Sequence, residues 1–463
     1  MGGLQYNLNL SIMNTIRSRV IIFLLLNASI LVYLIIVKDN LLGSDSTAYI
    51  QGAESLLKHG VFSSMGDINT PDNFRTIGYP IVIALTMIIN HEHYISVVIA
   101  IQVVLLYLMF VKFVNIGSIL NINLYPIILV PFIFHPEFLN LATSLQTEFL
   151  YIFTLFLFFI FTVKYFKTRN IKDLALSAVF IAFSLHIKPV YMFFVIVYLA
   201  IVFLFDKKIK NVVIVMLIMS VIIAPWVVRN KVTLDTYSFT SSKNFNLLCY
   251  AYTLTKAKYN LTDAEASKKV DSLIIDKYKL KRNSSMLDLV SSQNNELIDK
   301  IIPIEAKKII FENIEYMPEI YIKGVLRGFY LPHTIYNVEK NNPVHISGFI
   351  EKVKQKDIKS IFFTQGDFNY SAMYFYVLPY TLNLLVITGL LGFSFLWLTK
   401  KQFRTYQTTF ILLFVLYGLA VAFPTTNNSR YMMAYFPQMA IMFLYLLNYF
   451  KIARRDVSEC FRR

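Results

Sequence analysis

Charge is scarce in this chain, and acid is scarcer than base. Only 16% of the 463 residues are Asp, Glu, Lys or Arg, where a soluble protein of this size would carry roughly 25%. With 56% hydrophobic residues beside that shortage, a water-soluble domain is excluded and a polytopic membrane protein is indicated. The 28 acids against 44 bases leave a formal charge of +16. That excess is not a nucleic-acid footprint, because Lys and Arg cluster in short loops between apolar runs, the mark of cytoplasmic loops. Cysteine is nearly absent. Cys249 and Cys460 fall on opposite sides of the expected membrane, so no internal disulfide is expected. The first apolar run follows Arg17 and Arg19 without a small-x-small cleavage site and reads as an uncleaved anchor. There is no P-loop, no Gly-rich dinucleotide fingerprint and no nucleophile elbow. Internal repeats and low-complexity segments are also absent.

What remains is a series of apolar segments, each near the length of about 20 residues that spans a bilayer. They run roughly over 20–37, 94–110, 116–134, 149–165, 174–187, 190–205, 212–228, 375–398, 408–423 and 431–450. The run from Tyr79 to Ile89 is too short to span and is expected to be an interfacial or re-entrant helix. Counting it as a span would place the clusters Lys164–Lys172, Lys207–Lys210 and Lys400–Arg404 outside. The positive-inside rule therefore selects about ten helices. The expected architecture is an all-α polytopic membrane protein in three parts. Residues 1–228 form a transmembrane catalytic core with a first outside loop (38–93). Residues 229–370 form a small, mostly helical extracytoplasmic domain, with helical stretches at Ala264–Lys277 and Glu305–Tyr330. Residues 371–463 carry the last helices and a basic tail. The segment before His135-Pro136-Glu137 is expected to leave the membrane there.

This topology gathers the unusual polar residues on the outer face. Asp45, Arg75, Glu148, Lys188, Arg229 and Arg430 all fall at outer helix ends or in outer loops. Charge at membrane depth is costly unless paired or set in a wet cavity, so a set on one face points to a polar cavity. Each residue also admits a plainer role. Asp45 suits a solvated loop or the N-cap of the helix beginning at Ser46. Arg75 suits a snorkelling interfacial residue. Glu148 suits a helix N-terminus. Lys188, Arg229 beside Trp226, and Arg430-Tyr431 suit interfacial belts. His91 and His93, one residue apart on a short loop, do not make a metal site without further ligands.

The residues come in an order that resembles a family. Asp45 with Tyr49 and Ala53, then Leu56 to Phe62, forms an acid, a Tyr, an Ala and a Leu-rich turn ending in Gly-x-Phe. Arg75 with Gly78-Tyr79-Pro80 follows, Ile77 standing where the pattern has Pro. Then come Gln102, Thr147-Glu148, Lys188-Pro189, Pro225-Trp226 with Arg229-Asn230, Glu305-Ala306 through Pro318, and Arg430-Tyr431 with Pro437. The chain resembles the C-type integral-membrane glycosyltransferases, and among them the protein O-mannosyltransferases and the lipid A aminoarabinose transferases. The likeness covers residues 1 to about 330, and the last helices more loosely.

The resemblance implies a polyprenyl-phosphate sugar donor, used from the outer leaflet in an inverting single displacement. Asp45 is then the candidate base for the acceptor hydroxyl. Arg75, Lys188 and Arg430 are candidates to bind the donor phosphate. Tyr49, Tyr79, Glu148, Arg229 and Tyr431 are candidates to bind substrate or orient the acceptor. A divalent metal is possible but not required by these residues, with Glu148 open either to hold one or to orient the acceptor. The implied partners are the lipid bilayer, the donor lipid, and a glycan, lipid or protein acceptor, with no nucleic acid. The implied setting is a bacterial cytoplasmic membrane with the site facing the periplasm or the outside. A polysaccharide polymerase would instead carry its key Arg residues in the late loop. A lipid-linked saccharide transporter would show repeats and charges at mid-helix.

Overall fold

The structure, a computed structural model, describes residues 20–31, 33, 42–43, 45–64, 70–120, 122, 132, 135–279, 300–330, 363–364, 367–368, 374, 377–422 and 432–460. These residues are overwhelmingly helical. The helices are α1 (Val20–Leu31), α2 (Ser46–His59), α3 (Gly78–Ile89), α4 (Tyr94–Leu120), α5 (Pro136–Ala142), α6 (Thr147–Thr168), α7 (Ile171–Ile187), α8 (Phe194–Asp206), α9 (Ile209–Leu234), α10 (Ser242–Tyr259), α11 (Asp263–Tyr278), α12 (Ile302–Glu312), α13 (Met317–Tyr330), α14 (Leu378–Thr399), α15 (Tyr406–Ala422) and α16 (Phe436–Cys460). The one sheet among them is a two-residue antiparallel pair, Phe363–Thr364 with Asp367–Phe368.

Four of these helices are long and apolar enough to cross a membrane: Tyr94–Gly117 within α4, then α6, α9 and α14. α7, α8 and α15, at 17, 13 and 17 residues, are shorter. α3 has 12 residues and reaches about 18 Å, short of the roughly 30 Å hydrocarbon core. α4 departs from the expected pattern: it runs unbroken through Lys112 to Leu120. A single Lys with a long aliphatic stem does not stop a helix.

Burial orders the bundle. α6 is the hub, with 78% of its apolar window buried, whereas α9 buries 22% and turns Val213, Leu217, Val221 and Val232 outward. An apolar helix buried all round is a core helix, and one with a bare apolar face needs an apolar surrounding. The hub packs by aromatic edges. Phe158 meets Tyr198 at 5.0 Å and Phe159 stacks on Phe410 at 5.9 Å, while Tyr191 lies 4.7 Å from Phe414. Each such ring contact adds about 0.5–1.5 kcal/mol beyond its area. α14 lies directly on α16, since a Cβ on Gly389 would come within 2.6 Å of the Phe443 backbone.

His135-Pro136-Glu137 is enclosed by protein. His135 and Glu137 are buried, and His135 Nδ1 caps α5 by accepting from the Glu137 amide at 3.2 Å. Pro136 at the first helical position and a capping side chain before it start this short helix inside the bundle.

A polar helical lobe forms from α10, α11 and α12 around Leu248, Ala251, Val270, Ile274 and Ile302, and Phe74 from the first loop joins this core. α11 opens with a capping box of Thr262 and Glu265. α10 has no counterpart among the helical stretches expected from sequence. Its apolar residues follow no clear helical stripe, so periodicity gives no signal there. The stretch expected as one helix over Glu305–Tyr330 is broken at Ile314–Tyr316 into α12 and α13.

Candidate functional site

Four chain segments meet where α2, α3 and α6 begin and α7 ends. The first is tied to the third by the backbone bridge of Leu42 with Leu145 and by Ser46 Oγ, which donates to Leu145 O at 2.6 Å. The second is tied to the fourth by Thr76 Oγ1, which donates to Ile187 O at 2.8 Å. Gly78 closes the same seam: a Cβ there would sit 2.6 Å from His186 O, so only glycine lets α3 start this close to the end of α7. The third segment is held from behind by Gln102, whose amide donates to Ala142 O at 3.0 Å and Ser144 O at 2.9 Å. Tyr79 donates to Gln102 Oε1 at 3.0 Å.

These ties bring two ion pairs together. Arg75 Nη2 lies 2.9 Å from Asp45 Oδ1, and Lys188 Nζ lies 2.7 Å from Glu148 Oε1. Tyr49 stands between them, feeling the charges of all four. Its hydroxyl shares a 3.3 Å hydrogen bond with Thr147. Its ring meets Tyr79 edge-on at 5.4 Å and lies under the Arg75 guanidinium at 5.5 Å. Burial pushes the Tyr49 phenol up, against the opposing pull of Arg75 and Lys188, so it is protonated at neutral pH. Asp45 occupies the N-cap position of α2, yet its side chain makes no cap hydrogen bond; its carboxylate goes to Arg75 instead. Glu148 does sit in the first turn of α6, and it also pairs with Lys188, which ends α7 as its C-cap. The Arg75–Asp45 side chains are 26% and 24% exposed, and those of Lys188–Glu148 are 14% and 5% exposed. The first pair is therefore the one open to a ligand.

Arg229 takes different partners. Its guanidinium donates to Asp72 O at 2.7 Å and Phe62 O at 2.9 Å and lies 5.0 Å over Trp226. Trp226 donates to Phe239 O at 2.8 Å and meets Phe62 edge-on. Asn230 donates to Ser238 O at 3.0 Å. The Pro-Trp-x-x-Arg-Asn stretch thus clamps the loop that carries Arg75. Asp72 completes the clamp and escaped the sequence reading. Its carboxylate accepts from Ser64 N and Ser64 Oγ, and from Phe74 N two residues on. The signal for it was Thr70-Pro71-Asp72-Asn73, a turn composition in which Asp bonds the backbone ahead of it. Arg430 and Tyr431 lie outside the described residues. His91 and His93 are exposed, and no group of three or more His, Cys, Asp or Glu able to hold a metal occurs among the described residues.

The arrangement offers carboxylates able to take a proton and cations able to hold an anion, all within reach of one tyrosine. A separate, narrow apolar cleft, lined by Met109, Phe110, Phe113, Phe132, Phe138, Phe436, Pro437 and Ala440, carries none of these groups. No protein-family model matches the chain, and a comparison with curated proteins finds no match.

Proposed function

We propose that the chain is an integral-membrane glycosyltransferase that moves a sugar from a polyprenyl-phosphate donor to an acceptor hydroxyl. The observation that carries this reading is the pairing of Asp45 with Arg75 and of Glu148 with Lys188 around Tyr49. An alcohol is a weak nucleophile at neutral pH, so a positioned carboxylate must take its proton. Asp45 belongs to the more open pair and serves as that base. The leaving group is a lipid phosphate, whose growing charge needs fixed cations. Arg75 and Lys188 supply them, joined by Arg430 on the strength of the family pattern. Glu148 holds Lys188 in place and is the candidate to orient the acceptor. Arg229 supports the Arg75 loop through the Asp72 and Phe62 carbonyls. About ten crossings place the basic loops inside and residues 229–370 outside, with the site opening on the extracytoplasmic face of a bacterial cytoplasmic membrane.

The test is sugar transfer in membranes lacking the native enzyme, with a panel of radiolabelled polyprenyl-phosphate sugars. Wild type is expected to label an acceptor. Asp45→Asn, inserted at normal levels, is expected to lose about 100- to 10,000-fold in rate. Near-full activity in that variant would remove Asp45 as the base. Elongation of pre-made lipid-linked oligosaccharides, with no transfer from any monosaccharide donor, would replace this reading with a polymerase.

A further inference from the structure

Among the described residues the resting site is electrically closed: Arg75 and Lys188, the two cations offered to the phosphate there, are each already held by a carboxylate. An anionic ligand must therefore compete with the protein's own acids. The two pairs are unequal in this. Lys188 and Glu148 are the more enclosed, whereas Arg75 and Asp45 each keep about a quarter of their side chain exposed. The guanidinium is also held in one plane, 5.3 Å from the Phe74 ring and 5.5 Å from the Tyr49 ring. It carries five N–H donors in a rigid fork, so it can keep one partner while presenting donors to a second.

Resting on the donor reading above, we propose that Arg75 is passed from Asp45 to the lipid phosphate as the reaction proceeds. The acceptor oxygen bonds the anomeric carbon. The bond from that carbon to the phosphate oxygen breaks, and its electron pair stays on the phosphate. The acceptor proton goes to the Asp45 carboxylate. Before the step, the donor phosphodiester carries one negative charge and Asp45 another. After it, Asp45 is neutral and the phosphomonoester carries both. The total around Arg75 is unchanged, but the charge has moved from one partner to the other. The salt bridge thereby couples deprotonation of the acceptor to stabilisation of the leaving group. It also means that the lipid phosphate is held most tightly while Asp45 is protonated, and that loss of that proton restores the internal pair and releases the product.

The experiment measures binding of polyprenyl phosphate itself, without sugar, to full-length protein in nanodiscs. Asp45→Asn stands in for the protonated acid. It is expected to bind about tenfold tighter than wild type, the factor set by removing one charge-assisted competitor, even though it is the variant that loses transfer. Asp45→Ala is the second probe of the same loss of charge, should the amide misfold. Glu54→Gln, which removes an exposed acid paired with Lys58 on α2, reports the general effect of one less negative charge and is expected to change affinity less than twofold. Equal or weaker binding by both Asp45 variants would overturn the exchange while leaving the donor reading standing. An equal gain in Glu54→Gln would overturn it too, by assigning the effect to net charge. Failure of wild type and variants alike to bind polyprenyl phosphate would remove the donor reading, and the exchange with it.

Discussion

At the scale of single residues, the site is defined by which acid each cation takes. Lys188 and Glu148 are nearly enclosed, and an enclosed charge is tolerated only while its partner is present. Lys188→Met alone is therefore expected to destabilise the protein by about 3–5 kcal/mol, because it strands the Glu148 carboxylate. Adding Glu148→Gln should recover most of that loss, although transfer stays impaired in the double variant. Thermal unfolding in detergent, read as a double-mutant cycle, checks this. Two single losses that simply add would show that the 2.7 Å contact is not a coupled pair. The sequence made all four charged residues visible as oddities at helix ends. It did not make the partners visible, since Arg75 and Asp45 are 30 residues apart and Lys188 and Glu148 are 40 apart. For Arg229 the same reading stopped at its residue type. A guanidinium beside Trp226 suits a membrane belt or a substrate contact, and only the tertiary structure shows that it also donates to the Asp72 and Phe62 carbonyls.

At the scale of elements, the decisive contact is the seam between the start of α3 and the end of α7. Gly78 there faces the His186 backbone, which cannot rotate aside as a side-chain tip can. Gly78→Ala is expected to cost about 1–3 kcal/mol, as overpacking does. It should also lower the proposed sugar transfer more than binding of the lipid, by shifting Arg75 relative to Tyr49. Melting temperature together with the split of kcat from KM tests this. Unchanged values for both would mean that the seam opens freely. Sequence periodicity identified α3 as a short apolar helix and located the breaks on either side. It could not show that α3 is pinned by Thr76 and Gly78 to α7, about 110 residues on, because such contacts leave no periodic trace along the chain. The lobe helix α10 was hidden for a related reason: its burial comes from α12 and α11 packing beside it, not from a stripe of its own.

At the scale of the whole molecule, the distribution of Lys and Arg predicts a topology that can be checked without any substrate. Single-cysteine reporters are introduced after removal of Cys249 and Cys460. Ser267→Cys on α11 is expected to react with an impermeant maleimide in intact cells, and Lys167→Cys only after permeabilisation. The reverse pattern would invert the arrangement and put the two ion pairs on the cytoplasmic side. The native Cys249 would be a weak background in any case, since burial pushes its thiol up to about 11 and the thiolate is the reactive form.

The class of molecule, a largely helical chain with helices long and apolar enough to cross a membrane, was legible in composition and hydropathy alone. These act through the solvent, and each segment responds to bilayer or water largely by itself. The identity of the charged residues at helix ends was likewise written in the chain, and so was the turn that holds Asp72. Tertiary structure alone decided that Asp45 leaves its helix cap for Arg75, that Lys188 closes on Glu148, that Tyr49 lies between them, and that Arg229 serves the loop. The physical reason is range. A helix or a span is fixed by neighbours a few residues away, whereas an ion pair at 2.7–2.9 Å depends on where four separate helix ends come to rest against one another.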